Sequence, residues 1–213
     1  MPKQVDREAR RRDVVDALFR VVAQHGLQRA SLRTVAAEAG LNVGSVRHYF
    51  AGQQELMRFA MQSMLDRVAE RGQALVEEAG DDLERLSPQE QRRHTENVLC
   101  ELLPLDERRR AEVTVFIDFV TTNRTTPGLE DLAHETAVGA RRLMRRLLTR
   151  LDDSGALRSG LDLDVEAERL ASLLDGLSLN AVLRPELVDE DRCLTVLKTH
   201  LDALEPAPQR TGR

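Results

Sequence analysis

Apolar positions along the chain fall three and four residues apart in nearly every segment, and alternating runs of the kind that build sheets are absent. Val14, Leu18, Val21 and Val22 mark one face of a first helix from about Asp6 to His25, closed by Gly26. Ser31 is a natural N-cap for a short helix ending at Gly40, and Asn42 caps another that reaches about Phe50. After Ala51-Gly52 a long helix runs to about Ala79, with Leu56, Phe59, Ala60, Met64, Leu65 and Val68 on its apolar side. Gly80-Asp81-Asp82 breaks the pattern, and Ser87 followed by Pro88 opens a helix to about Leu103. Pro104 separates it from a segment at about Asp106–Asn123, and Thr126-Pro127 opens an arginine-rich helix that stops at Ser154-Gly155. Two more span about Asp164–Leu183 and Asp189–Leu204, before Pro206 and Pro208 start a polar tail expected to be disordered. The pattern predicts an all-α chain of about nine helices with no internal repeat.

The two shortest helices, Leu32–Ala39 and Val43–Phe50, are joined through Gly40-Leu41-Asn42 and must cross steeply. Ala36 is small enough for the crossing, and Gly40 can take the left-handed backbone of the turn. Val35, Leu41 and Val46 then point inward against the first helix, which gives a three-helix helix-turn-helix unit. With Val46 and Phe50 inward, the third helix presents Val43, Gly44, Ser45, Arg47, His48 and Tyr49. Its small N-terminal residues let a backbone approach a major groove closely. Arg47 suits a guanine edge, Val43 a thymine methyl, and Ser45 either a base or a phosphate. His48 and Tyr49 suit phosphates, which fix register rather than sequence. A solvated helix face is the bland alternative for such a cluster.

Charge sharpens the choice. The 213-residue chain carries a net −5, yet residues 1–60 hold ten Lys/Arg against six acids. The head is therefore basic by four charges and the remainder stands at −9. Apolar residues make up 41% and aromatics 3%, so the core must be mainly Leu, Val and Ala. Cys100 and Cys193 lie far apart inside helical patterns, which fits neither a disulfide framework nor zinc spacing. The start, MPKQVDREARRR, has no apolar stretch behind it, and the longest apolar run, VTVFIDFV, is too short for a bilayer and contains Asp118. A cytoplasmic protein without a membrane partner is expected.

The segment RTVAAEAGLNVGSVRHYFAGQQEL resembles the DNA-binding region of the TetR family of transcriptional regulators, and RRRDVVDALFRVVAQHGLQRAS resembles that family's lead-in helix. Together they cover about residues 10–56. The resemblance implies that Thr34, Asn42, Val43, Gly44, Ser45, Arg47, His48 and Tyr49 contact operator DNA; Arg33 joins them for its charge at a helix start. Two departures stand out. The family usually has Tyr where this chain has Arg47, and Ser-Lys where it has Gly52-Gln53. The missing lysine normally supplies a phosphate contact, so affinity would lean on the N-terminal arginines, with Gln53 offering a neutral contact at its helix start.

The expected division is a head at 1–52, a helical effector-binding and dimerisation domain at 53–205, and the tail at 206–213. Leu170, Leu173, Leu174, Leu177 and Ala181 on the penultimate helix, with Leu194, Leu197, Leu201 and Leu204 on the last, form apolar stripes that could pair two copies in a four-helix bundle. Gly176 in the middle would permit close approach; the alternative is that both stripes face the chain's own core. The SLLDGLSL pattern also resembles the BetI-type C-terminal region.

The family resemblance further implies a small-molecule pocket in the body, with Phe116, Asp118, Phe119 and Met144 as candidates and His94 and His134 as weaker ones. An acid within VTVFIDFV must be paired, neutralised or functional, and either an effector or one of Arg141, Arg142 and Arg145 could be its partner; a structural ion pair is the simpler choice. No phosphate loop, H-E-x-x-H, G-x-S-x-G or metal-ligand spacing is present, so neither an enzyme nor a cofactor is expected. The reading is a homodimeric repressor that binds a palindromic or near-palindromic duplex and is released by a small molecule. A helical protein-interaction scaffold is the competing class.

Overall fold

The computed structural model describes residues 2–78, 86–123 and 130–207. Among them lie α1 (Pro2–His25), a 3-10 turn (Leu27–Arg29), α2 (Leu32–Glu38), α3 (Val43–Tyr49), α4 (Gln53–Glu78), α5 (Pro88–Cys100), α6 (Glu107–Asn123), α7 (Glu130–Asp153), α8 (Leu163–Leu183) and α9 (Glu190–Asp202). The described residues contain no strand, and no helix of theirs is long and apolar enough to cross a membrane. The expected break at Gly80-Asp81-Asp82, the helix start at Thr126-Pro127 and most of the tail lie outside the described residues.

α1 begins at Pro2 rather than near Asp6, and two further features differ from expectation for local reasons. α5 stops at Cys100 rather than near Leu103, because Leu102 and Leu103 donate instead to Leu99 and Cys100 in tighter turns ahead of Pro104. A residue before proline is disfavoured in the helical region, so the helix unwinds early. The 3-10 turn was not legible, since three residues are too few for a periodic signal.

The chain packs as two compact units, residues 1–69 with 106–135, and residues 70–105 with 136–213. This grouping follows contacts and cuts across the expected boundary at 52, because α6 shares a core with the N-terminal helices. In the first unit Val14, Leu18 and Val22 of α1 meet Val35 and Ala36 of α2, Val46 of α3, Leu56, Ala60 and Met64 of α4, and Val115 and Phe119 of α6. Cation placement reinforces it. The Arg11 guanidinium stacks 4.9 Å from the Phe50 ring and 4.1 Å from Phe59, and Arg20 pairs with Glu38 at 2.6 Å, tying α1 to α2.

In the second unit Val98 and Leu99 of α5, Met144, Leu148 and Leu151 of α7, Leu170, Leu174 and Leu177 of α8 and Cys193, Leu197 and Leu201 of α9 form the core. Seven of the stripe residues, Leu170, Leu174, Leu177, Ala181, Leu197, Leu201 and Leu204, are thus buried against their own chain, the alternative left open for both stripes. The apolar stripe of a helix packs on the nearest apolar face, and here that face belongs to the same subunit. Leu173 and Leu194 are half-buried. The arginines of α7 pair across to α8: Arg141 holds Glu168 at 2.6 and 2.8 Å, and Arg145 holds Asp164 at 2.6 Å. Cys193 is buried, Cys100 is half-buried and neither is in a disulfide.

Candidate nucleic-acid interface

The head is built by caps. Ser31 and Thr34 form a reciprocal capping box at the start of α2, the Ser31 side chain accepting from the Thr34 N–H and the Thr34 hydroxyl accepting from the Ser31 N–H at 2.9 Å. α2 ends in a Schellman arrangement: the Leu41 N–H donates to the Ala36 carbonyl at 2.8 Å and the Gly40 N–H to Ala37 at 3.1 Å, with Gly40 at φ 67. That left-handed residue turns the chain into α3. There the Asn42 carboxamide oxygen accepts the Ser45 N–H at 2.8 Å. A Cβ on Gly44 would stand 3.1 Å from that same oxygen, so glycine leaves the cap room as well as keeping the outer face small.

This geometry sorts the sequence candidates. Arg33, Thr34, Asn42, Gly44, Arg47, His48 and Gln53 are exposed, while Val43, Ser45 and Tyr49 are half-buried. Val46 and Phe50 are fully buried, so the side of α3 that carries Arg47 and His48 faces solvent. His48 and Tyr49 meet edge to face at 5.5 Å between centroids. Val43 and Tyr49 pack partly on the core. Thr34 spends its hydroxyl on the cap and on the Arg29 carbonyl at 2.6 Å, and Asn42 spends its carboxamide oxygen on the Ser45 N–H.

Two expectations change. Gln53 does not offer its amide outward: Nε2 donates to the Ala30 carbonyl at 3.1 Å, fastening the start of α4 to the turn before α2. Arg11 cannot serve phosphates while it stacks on two phenylalanines, and Arg10 sits 3.5 Å from Asp13; Arg7 and Arg12 are exposed. The pocket candidates separate too. Phe119 is buried in the first core with Phe116 packed beside it, and Met144 is buried in the second core. The Asp118 Oδ2 accepts the backbone N–H of Leu27 at 3.0 Å, while Arg141 and Arg145 are held by Glu168 and Asp164. A carboxylate can be satisfied by a main-chain donor, and composition cannot reveal one. His134 is exposed, whereas His94 is buried, and desolvation holds its imidazole below the ordinary range, with Arg150 adding to the effect.

The cap makes a first prediction. Asn42→Ala should lower head stability by about 1 kcal/mol, read as a drop in urea midpoint, and weaken duplex binding with it. Asn42→Asp keeps the capping oxygen but adds a negative charge, so its midpoint should hold while duplex binding falls.

Comparison with known proteins agrees with this arrangement. Residues 14–58 match bacterial regulatory proteins of the tetR family, and residues 88–206 match the C-terminal region of BetI-type transcriptional repressors. The HTH-type transcriptional regulator PksA of Bacillus subtilis is 36% identical over 204 residues, 96% of this chain and 94% of that one. A transcriptional regulator from Rhodococcus sp. Rha1 superposes with a TM-score of 0.75 at 28% identity, covering 91% of this chain and 95% of its own. A regulator from Saccharomonospora viridis, solved in complex with choline, shares the fold at TM-score 0.79 and 18% identity, over 92% of this chain and 98% of its own.

Proposed function

The chain belongs to the TetR family of DNA-binding transcriptional regulators, and from that premise we propose that it is a cytoplasmic homodimeric repressor whose α3 enters the major groove once per subunit and which a small molecule releases. The observation that carries the DNA contact is the outward side of α3, where Arg47 and His48 stand exposed beside glycine and a capped helix start. Arg33, Thr34, Asn42, Val43, Gly44, Ser45, Arg47, His48 and Tyr49 form its contact set, with Gln53 now in a bracing role. A single short helix reads few bases, so a two-fold pair on half-sites about 34–36 Å apart is the expected geometry.

The pairing surface lies on the outward side of α8. Val165 is 52% exposed, Leu179 38% and Leu183 59%, and Leu187 just beyond the helix is 67% exposed. On α8 itself Val165, Gly176, Leu179 and Leu183 share one face, opposite the buried stripe. Half-buried Leu173 borders an open hollow of about 580 Å³ on this face with Val165, Arg169, Ser172 and His200. A Cβ on Gly176 would meet nothing within 4 Å in the subunit. Gly176→Leu should therefore leave helix content intact, since leucine is the better helix former by about 0.8 kcal/mol, while shifting sedimentation equilibrium toward monomer. An unchanged dimer constant removes this face from the interface.

Release by an effector draws support from the BetI-type match, and the choline complex shows that this fold can hold a small molecule. The decisive experiment is selection of bound duplexes from a random pool, repeated at several salt concentrations. Recovery of a two-fold motif with steep salt dependence supports the reading; failure to enrich any duplex at low ionic strength overturns it.

A further inference from the structure

Gly26, at φ 75 and ψ 162, reverses the chain after α1 and gives its own N–H to Val22, so Leu27 opens the 3-10 turn with its donor past the helix end. Leu27 is buried, and a buried amide without a partner is costly. Asp118 of α6 supplies the acceptor, from a helix whose Val115 and Phe119 are fully buried in the same core. Beyond Leu27 the turn is bound at each step to the recognition unit. The Arg29 carbonyl accepts the Thr34 hydroxyl at 2.6 Å, the Ala30 carbonyl accepts Gln53 at 3.1 Å, and Ser31 caps α2.

We propose that Asp118 is a positioning residue for DNA binding: its carboxylate fixes the turn between α1 and α2, and through the Thr34 and Gln53 contacts fixes the seat of α2 and α3, without touching the duplex. The inference rests on the DNA-binding reading but adds to it a residue sixty-nine positions beyond Tyr49 in sequence. It also gives α6 a part in the head, since the acid that α6 contributes completes the hydrogen bonding of the turn.

Asp118→Ala and Asp118→Asn test it, using the full chain and the tightest duplex the wild type selects from a random pool. Both variants remove the charge, so the difference between them reads the side-chain acceptor and the volume that carries it, not the charge. Asn keeps an oxygen able to accept from Leu27 and should bind within about threefold of wild type; Ala should bind at least tenfold more weakly, at a temperature where both are folded. The slope of log affinity against log salt should be unchanged in both, because no phosphate contact is lost. Amide exchange at Leu27 should be fast in the Ala variant and slow in the Asn variant and the wild type.

Equal duplex affinity for folded Ala variant and wild type, even with a lowered unfolding midpoint, makes Asp118 merely structural and overturns the proposal. So does a tenfold loss in the Asn variant with Leu27 still protected, which remains decisive if the Ala variant does not fold. A wild-type chain that enriches no duplex overturns instead the DNA-binding reading on which the proposal stands.

Discussion

Phe50→Ala is expected to destabilise the first unit by about 3–5 kcal/mol and to abolish duplex binding at temperatures where the second unit stays folded. Phe50 has no exposed surface and closes α3, donating its N–H to the Val46 carbonyl at 2.9 Å. Its ring lies 5.5 Å from Phe59, and the Arg11 guanidinium covers both rings. Truncation removes a large apolar volume and one of the two faces that hold Arg11, whose Nε is buried without a hydrogen-bond partner. The neighbours that would have to collapse into the gap come from α1, α3 and α4, and a core fixed by three helices relaxes poorly. The second core contains none of these residues, so far-UV circular dichroism should register an early partial transition rather than one shifted whole. Phe50→Leu, which keeps much of the volume, should lose much less. A Phe50→Ala chain that melts and binds like wild type means the tripod of helices is not held together at this ring.

The contrast between the two cores explains what the sequence could convey. Helix existence was legible because each helix must bury one face, and Val14, Leu18, Val35, Val46 and Leu56 appear at the required spacing and are all buried. Caps were legible as well: Ser31, Asn42 and Ser87 each stand one residue before a helix and accept from its first turn. Partnership was not. The stripe on α8 fits its own core and a second copy equally well by periodicity, and only placement decides that Leu170 and Leu174 face inward while Leu179 and Leu183 face out. Asp118 was conspicuous for its apolar neighbours, yet its partner is a main-chain N–H ninety-one residues away, which no side-chain inventory contains. Arg11 counted as one positive charge among ten, although its position over two rings turns it from a phosphate ligand into a packing element. In each case the residue type was informative and the identity of its neighbour was not.

Arg47→Ala is expected to cost about 1–3 kcal/mol of affinity for the selected duplex and to relax preference at one base position in each half-site. The effect depends on which part of α3 the side chain leaves from. Val46 is buried and Arg47 follows it on the exposed side, four residues on from Val43 and one turn past the small residues that admit close approach. Arg47 is exposed, whereas Arg20, on α1 beside the same unit, is drawn into an ion pair with Glu38 at 2.6 Å. A guanidinium able to reach a guanine edge donates two parallel hydrogen bonds, and a wrong base leaves at least one of them unmade. Lysine at this position keeps the charge without the fork, so Arg47→Lys should retain most of the salt dependence while losing much of the base preference. Binding measured across a duplex set with single-base changes separates the outcomes: loss confined to one position per half-site marks base readout. Uniform loss over all sequences, with a salt slope shallower by about one, places Arg47 on a phosphate and moves sequence reading to the half-buried Ser45 and Val43 at the start of the helix.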